Sequence, residues 1–405
     1  MVNSHPMELD LAACPSGQAA QQIALKLAEA GHETVIAGGA VRDILLGKKP
    51  KDFDVATLAE PQIVLDLFSK TQKVGIAFGV VLVRDFGEAI EVATFRSDGS
   101  YSDGRRPDQV TFTDAKTDAS RRDFTINGLF YDISEQAIKD YVGGLEDLKQ
   151  KCIRAIGQAK QRFQEDYLRM LRAIRFAVTL NFSIEESTWQ ALQENAYLLK
   201  SIAPDRIHQE LQKTFCHGRS NLALKLLADS NLLKAIFPDI EITINSNTES
   251  QYEEGGDLIA CFCLVLHSLT DIDQLKLTLS NLRCTNDEKK EIILTSTSLD
   301  QLKLYNKLSI TQKKRLLRQL KRKRVLFLLH RLNTPSELIE TINHEWQGWS
   351  HKELFPDFLP MGKDLIQAGF KPGPELGQRL TELEDLALSG KISSNQEAWQ
   401  HLNLS

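Results

Sequence analysis

The stretch IAGGAVRDILLGKKPKDFDVAT, residues 36–57, decides how the rest of the chain is read. Val35 and Ile36 end an apolar run, which predicts a strand. At Gly38 and Gly39 the missing Cβ lets backbone N–H groups approach a ligand, and Ala40 to Leu46 can begin a helix whose N-terminal dipole faces that turn. Such a turn suits a triphosphate. A second strand then carries Asp52 and Asp54 beside Phe53 and Val55. A spacing of two sends both carboxylates to one face, about 6–7 Å apart along the chain. Two converging acids at a strand end invite a divalent metal; a solvated D-x-D turn is the alternative for a pair standing alone.

The pair has company. In AIEVATF, residues 89–95, alternation puts Ile90, Val92 and Thr94 on one face and Glu91 on the other with Ala93 and Phe95. Glu91 is the natural third ligand. Mg2+ is hard, prefers oxygen and keeps several waters, so three carboxylates plus substrate phosphates make a site for one or two ions.

GGAVRD, DFD, EVATFR, RRDFTING and EDYLRMLRAIRFA follow one another between Val35 and Leu180. In that order they resemble the class II tRNA nucleotidyltransferase and bacterial poly(A) polymerase family, a branch of the polymerase-β-like nucleotidyltransferases. The resemblance implies catalytic roles for Asp52, Asp54 and Glu91, with Asp52 and Asp54 as the Mg2+ ligands. It places Gly38, Gly39, Arg42 and Asp43 at the nucleotide. It also implies that Arg122 contacts triphosphate or primer, that Asp123 contacts the ribose, and that Asn127 orients the nucleotide or supports the acidic site.

Glu165, Asp166 and Arg169 match the family's E-D-x-x-R motif, whose side chains imitate a template base. A carboxylate accepts from an exocyclic amino group and a guanidinium donates to a ring nitrogen or carbonyl, so the pair can read C and A. Pattern alone allows a plainer reading, a helix-surface ion pair between Asp166 and Arg169. Pro204-Asp205-Arg206 to Glu210 resembles the last neck motif, in which an arginine and a glutamate brace the recognition helix; a local ion pair four residues apart is the alternative there.

The chain has 405 residues and a formal net charge of −5, average for a soluble globular protein of two to four modules. An RNA surface would therefore be a local basic patch. One candidate is Lys313 to Arg324, where eight of twelve residues are basic. Lys313, Lys314, Arg318, Lys321, Arg322 and Arg324 are the candidate phosphate contacts, with a solvated helix face as the alternative. The cysteines form no C-x-x-C pair, and Cys261 and Cys263 sit in the apolar run LIACFCLVL as buried small hydrophobes. No apolar stretch is long enough to span a bilayer, and MVNSHPMELDLAAC lacks a basic region followed by an apolar core. The expected location is the cytoplasm.

Residues 1 to about 15 are expected to be poorly ordered, with Met7 an alternative start. A helix is expected over 18–30, with Ser16 as N-cap and Gly31 as stop, and another over 62–69. VVLV and AIEVATF read as strands joined by a turn at 85–87. Residues 97–108 read as a mobile surface loop, either a connector or a lid; in the family resembled, the corresponding loop moves during nucleotide addition. RRDFTINGLFY, residues 121–131, puts charge before an apolar helical run. Residues 139–150 form a turn-rich link, and 164–180 a helix with Leu168, Leu171, Ile174 and Ala177 in one buried stripe. LPMGKDLIQAGFKPGPELG resembles the tail of bacterial tRNA nucleotidyltransferases.

The expected fold is α+β: a catalytic head over 1–145, a helical neck with the recognition helix over 146–215, a helical body over 216–345, and a helical tail over 346–405 that meets tRNA. The expected activity is metal-dependent, template-independent addition of CCA to tRNA from CTP and ATP, with pyrophosphate released. Alternatives are a relative adding only CC or only A, and poly(A) polymerase. A non-catalytic RNA-binding protein on the same scaffold is disfavoured, because all three carboxylates and the glycine turn are present. Oligomeric state is left open.

Overall fold

The computed structural model describes residues 3–99, 109–242 and 256–403. The chain forms two compact units, one comprising Met1–Thr214 with Leu226–Asp239, the other Phe215–Lys225 with Ile240–Ser405. No described helix is long and apolar enough to cross a membrane.

The first unit is built on strands β1 (Asn3–Pro6), β2 (Thr34–Ala37), β3 (Asp54–Thr57), β4 (Thr71–Lys73), β5 (Val80–Val83), β6 (Ile90–Thr94), β9 (Leu129–Asp132) and β10 (Ala137–Asp140), with a separate hairpin of β7 (Arg96–Asp98) and β8 (Val110–Phe112). The sheet order is β1-β10-β9-β2-β3-β6-β5-β4. β3 and β6 run parallel, while β2 pairs antiparallel with both β3 and β9. β2 is buried at all four positions, as an apolar strand with neighbours on either side should be. Residues 100–108, most of the expected loop, lie outside the described residues.

Several elements differ from the pattern-based expectation. The N-terminus supplies edge strand β1, paired from Asn3↔Asp140 to Pro6↔Ala137. The first helix begins at Pro15, not at a Ser16 cap, because proline preorganises the first helical position and has no N–H to leave unpaired. No long helix follows RRD: a helix capped by Asp114 over Ala115–Ser120 precedes it, a short turn spans Thr125–Asn127, and the apolar run becomes the buried strand β9. A continuous apolar run has no period that separates a buried strand from a buried helix.

The helix expected over 164–180 is broken. One helix covers Ala159–Glu165, Asp166 is extended at φ −138° and ψ 104°, and a second helix covers Arg169–Leu180. Leu168, Leu171, Ile174 and Ala177 are all buried. The second unit is helical among its described residues. It includes the apolar helix Leu258–Val265, in which Cys261 and Cys263 are buried, and a C-terminal core around Leu365, Leu376, Leu383, Ile392 and Ala398.

Candidate active site

The acidic residues come together through sheet register. Asp54 opens β3 directly opposite Glu91 of the parallel β6, and adjacent strands lie about 4.8 Å apart. Asp52 precedes the strand. Asp52, Asp54 and Glu91 are exposed, whereas Phe53, Val55, Ile90 and Val92 are buried. The carboxyl of Asp54 is pushed above the usual carboxylate range by desolvation and then by Glu91 and Asp52, against the pull of Arg122. The anion is held in surplus negative charge.

The glycine turn sits beside this edge. Gly38 has φ +65° and donates its N–H to Leu129 O at 3.0 Å. A Cβ there would lie 2.7 Å from Arg122 Nη1, so only glycine fits both the dihedral and the close approach. Arg122 is aimed by Asp118, a buried carboxylate that accepts from Arg122 Nη2 at 3.0 Å and Arg121 Nη2 at 2.7 Å. Burial alone would raise the Asp118 pKa; Arg122 and Arg121 outweigh it and hold it low.

A polar chain runs from the glycine turn into the second half of the broken helix. Arg42 donates to Asp43 Oδ1 at 2.7 Å and to Asn127 Oδ1 at 2.6 Å. Asn127 Nδ2 donates to Asp123 Oδ1 at 2.9 Å, and Arg172 donates to Asp123 Oδ2 at 2.6 and 2.8 Å. The N–H of Phe124 also donates to Asp123. With four donors on its two oxygens, Asp123 would meet a ribose hydroxyl only by giving one of them up. Desolvation opposes its charge, but Arg172 and Asn127 hold its pKa well below the usual range. Beneath this chain the Phe176 ring carries the guanidiniums of Arg175, Arg42 and Arg172 at 4.5, 5.1 and 5.5 Å from its centroid. Burial, and then Arg172, lowers the pKa of Arg175 to about 10.

The proposed base readers stand on either side of the helix break, and they do not pair with each other. Asp166 meets Arg206 Nη2 at 3.4 Å, while Arg169 donates to Glu165 at 2.7 Å, Arg162 O at 3.1 Å and Arg121 O at 3.0 Å. A guanidinium has five N–H groups, so Nε and one Nη2 hydrogen of Arg169 stay available. Neither local ion pair suggested by spacing is present. Arg206 reaches Asp166, and Glu210 instead accepts from Arg175 at 3.0 Å.

Residues 34–154 match the family model of the poly A polymerase head domain, and 181–243 match the probable RNA and SrmB-binding site of polymerase A. The CCA-adding enzyme of Lactococcus lactis subsp. cremoris is 33% identical over 404 residues, covering 94% of each chain. That of Ligilactobacillus salivarius is 35% identical over 396 residues, covering 92% of each. The chain belongs to the CCA-adding enzyme family. Among solved structures of this family, the Bacillus stearothermophilus CCA-adding enzyme in complex with CTP matches with a TM-score of 0.70 at 28% identity, over 96% of this chain and 98% of that one. The Thermotoga maritima CCA-adding enzyme complexed with tRNA shares the fold, with a TM-score of 0.72 at 21% identity over 96% and 95%.

In this member of the CCA-adding family the basic run 313–324 is neither one helix nor a row of free charges. Helices Ile310–Arg318 and Arg322–Arg331 divide it. Lys313 meets Glu345 at 3.0 Å, and Arg318 meets Glu384 at 2.8 Å. Lys321 meets Glu291 at 2.8 Å and Arg322 is half-buried. Lys314 and Arg324 are each 4% exposed. Lys314 lies 5.5 Å from the Trp349 ring centroid, and Arg324 is held by Asp257 at 2.9 Å and Glu291 at 2.6 Å. These two cations are engaged by carboxylates and an indole of the same unit. Asp118, Arg172, Arg175 and Phe176 carry contacts in the site that the motifs did not single out. The i−4 spacing of Asp118 from Arg122 and the i+3 steps from Arg169 to Arg172 and Arg175 are the only signals for the three charged residues, and Phe176 has none.

Proposed function

We propose that the chain adds CCA to the 3′ end of tRNA from CTP and ATP, one nucleotide at a time, releasing pyrophosphate in the cytoplasm. The carrying observation is the register of Asp54 against Glu91 with Asp52 alongside, three accessible carboxylates at one sheet edge beside a glycine turn. Relatives named for this activity match more than nine-tenths of the chain, which supports the full reaction over addition of CC or A alone.

The donor set fits Mg2+: it is all oxygen, and the raised pKa of Asp54 marks an excess of negative charge that a cation would relieve. Asp52 and Asp54 would hold the ion, with Glu91 beside them. When bound, Mg2+ supplies charge to the attacking and leaving oxygens. Glu91 would take the 3′-hydroxyl proton on a carboxylate oxygen. The Gly38-Gly39 backbone and Arg122 would hold the triphosphate, with Arg42, Asp43, Asp123 and Asn127 fixing that wall. For base choice, Asp166 accepts the exocyclic amino group of C or A while Arg169 Nε donates to the ring, and Glu165 fixes Arg169. U and G present a carbonyl and an N–H there, leaving desolvated groups unpaired at about 1–3 kcal/mol each. On this reading residues 1–145 are head, 146–215 neck, 216–345 body, and 346–405 a tail meeting tRNA.

The test is extension of tRNA transcripts that lack CCA, CA or A by the purified protein. The expected products all end in CCA and stop there. Arrest of the transcript lacking CCA before the final A, failure to extend it while the transcript lacking A is completed, or a long A tail would overturn the assignment. Asp54→Ala should abolish extension with an unchanged circular dichroism spectrum.

A further inference from the structure

We infer that Lys48, Lys49 and Lys51 bind the backbone phosphates of the RNA strand whose 3′ end is extended. The inference rests on the proposed function and deepens it by assigning a docking point for the RNA backbone on the first unit.

The loop that carries these lysines is built. The helix Gly39–Leu45 ends with the N–H of Gly47 donating to Ile44 O at 2.9 Å and that of Lys48 to Asp43 O at 2.8 Å, with Gly47 at φ +68°. This is a Schellman ending, which fixes where the chain leaves the helix. Pro50 then stiffens the path to Asp52. All three lysines are exposed, and none of their ammonium groups has a hydrogen-bond or ion-pair partner among the described residues. The arginines of the site behave differently: Arg42, Arg122, Arg169, Arg172 and Arg175 are each tied to a carboxylate.

Position argues for RNA over the triphosphate. Lys48 and Lys49 follow the end of a seven-residue helix opposite the glycine turn, about 10 Å along its axis, and Lys51 lies on the return path to Asp52. They also stand one to four residues before Asp52. In-line displacement puts the attacking hydroxyl and the leaving pyrophosphate on opposite sides of the transferred phosphorus. The glycine turn and Arg122 occupy the leaving side, which gives the opposite end of the helix to the attacking strand. That strand must bring its phosphates up to three exposed carboxylates in a chain of net charge −5. Unpaired cations beside the carboxylates offset this repulsion. Compensation of the helix dipole accounts for Lys48 alone, since the effect fades beyond the last turn.

The experiment compares wild type with the Lys48→Gln/Lys49→Gln/Lys51→Gln variant. It measures binding of tRNA lacking CCA across a salt series, together with KM for CTP at saturating tRNA. At about 0.7 released counterions per phosphate contact, the log–log salt slope should become shallower by about 2, with tRNA binding roughly 10- to 100-fold weaker at 0.1 M salt. KM for CTP should not move. The double variant Lys48→Gln/Lys49→Gln, which leaves the neighbour of Asp52 intact, should show about two-thirds of the slope change. An unchanged slope overturns the inference, and so does a raised KM for CTP at unchanged tRNA affinity, which would give the lysines to the triphosphate. Wild-type protein that binds tRNA without extending it would fail the functional reading, while the slope would still decide the lysines.

Discussion

Lys314 and Lys48 carry the same charge in opposite surroundings. Lys314 is 4% exposed, beneath Trp349 and 3.6 Å from Glu353, in a run where Arg315 and Arg318 are tied to Glu384. Lys48 stands in a short loop with Lys49 and Lys51, exposed and unpartnered among the described residues. The longer run has more cations and offers fewer to a ligand. A cation already paired inside a fold has exchanged its counterions for carboxylates, so binding a phosphate there releases little. What recruits RNA is charge left unmatched, and this depends on what each side chain faces in the fold.

Four measurements break or sharpen that contrast. Arg324→Met should cost about 2–3 kcal/mol in a urea melt, because it leaves Asp257 without its cation and Glu291 with Lys321 alone; the figure is at the low end for a broken buried pair, since both acids keep access to water. Unchanged stability would return Arg324 to the surface. Arg315→Ala, which frees the part-exposed Asp385 and leaves Glu384 with Arg318 alone, should cost about 1 kcal/mol.

The third measurement uses acid. Desolvation would raise the pKa values of Glu291 and Glu384. Hydrogen bonds from Lys321 and Arg324 to Glu291, and from Arg315 and Arg318 to Glu384, outweigh it and hold both below the ordinary 4.5. Their contribution to stability is therefore complete above pH 4.5 and is lost as pH falls through the lowered folded values. The fall in Tm on acidification should be smaller in Glu384→Gln than in wild type; an equal fall would mean that the pair contributes nothing. The smallest expected effect is on the other segment. Replacing all three loop lysines by Gln should leave stability within about 0.5 kcal/mol, and a larger loss would show that they serve the fold.

The acidic trio and the glycine turn were legible because each is written in neighbouring residues. Alternation around Glu91 gives its face, and Gly38-Gly39 gives the turn. Features that depend on distant partners were not legible. The break at Asp166 is hidden because the apolar spacing from Leu168 to Ala177 continues through it, while Arg206, which meets Asp166, lies forty residues on. In sequence, strand β9 reads as helix because LFY is buried between β2 and β10 and has no polar face to show a period of two. Asp118, which aims both arginines of RRD, is marked in the sequence only by its spacing of four from Arg122.

Strand β1 has a consequence for how the protein behaves in bulk. It ends at Pro6, directly before Met7, and its partner β10 would otherwise be the outermost strand. A chain begun at Met7 would leave the backbone of Ala137–Asp140 without its outer partner, an open template onto which another polypeptide can add. Asp54 on β3 lies three strands further in. The two forms would therefore share their chemistry and differ in colloidal stability, with the shorter one prone to self-association at concentrations where the longer stays dispersed.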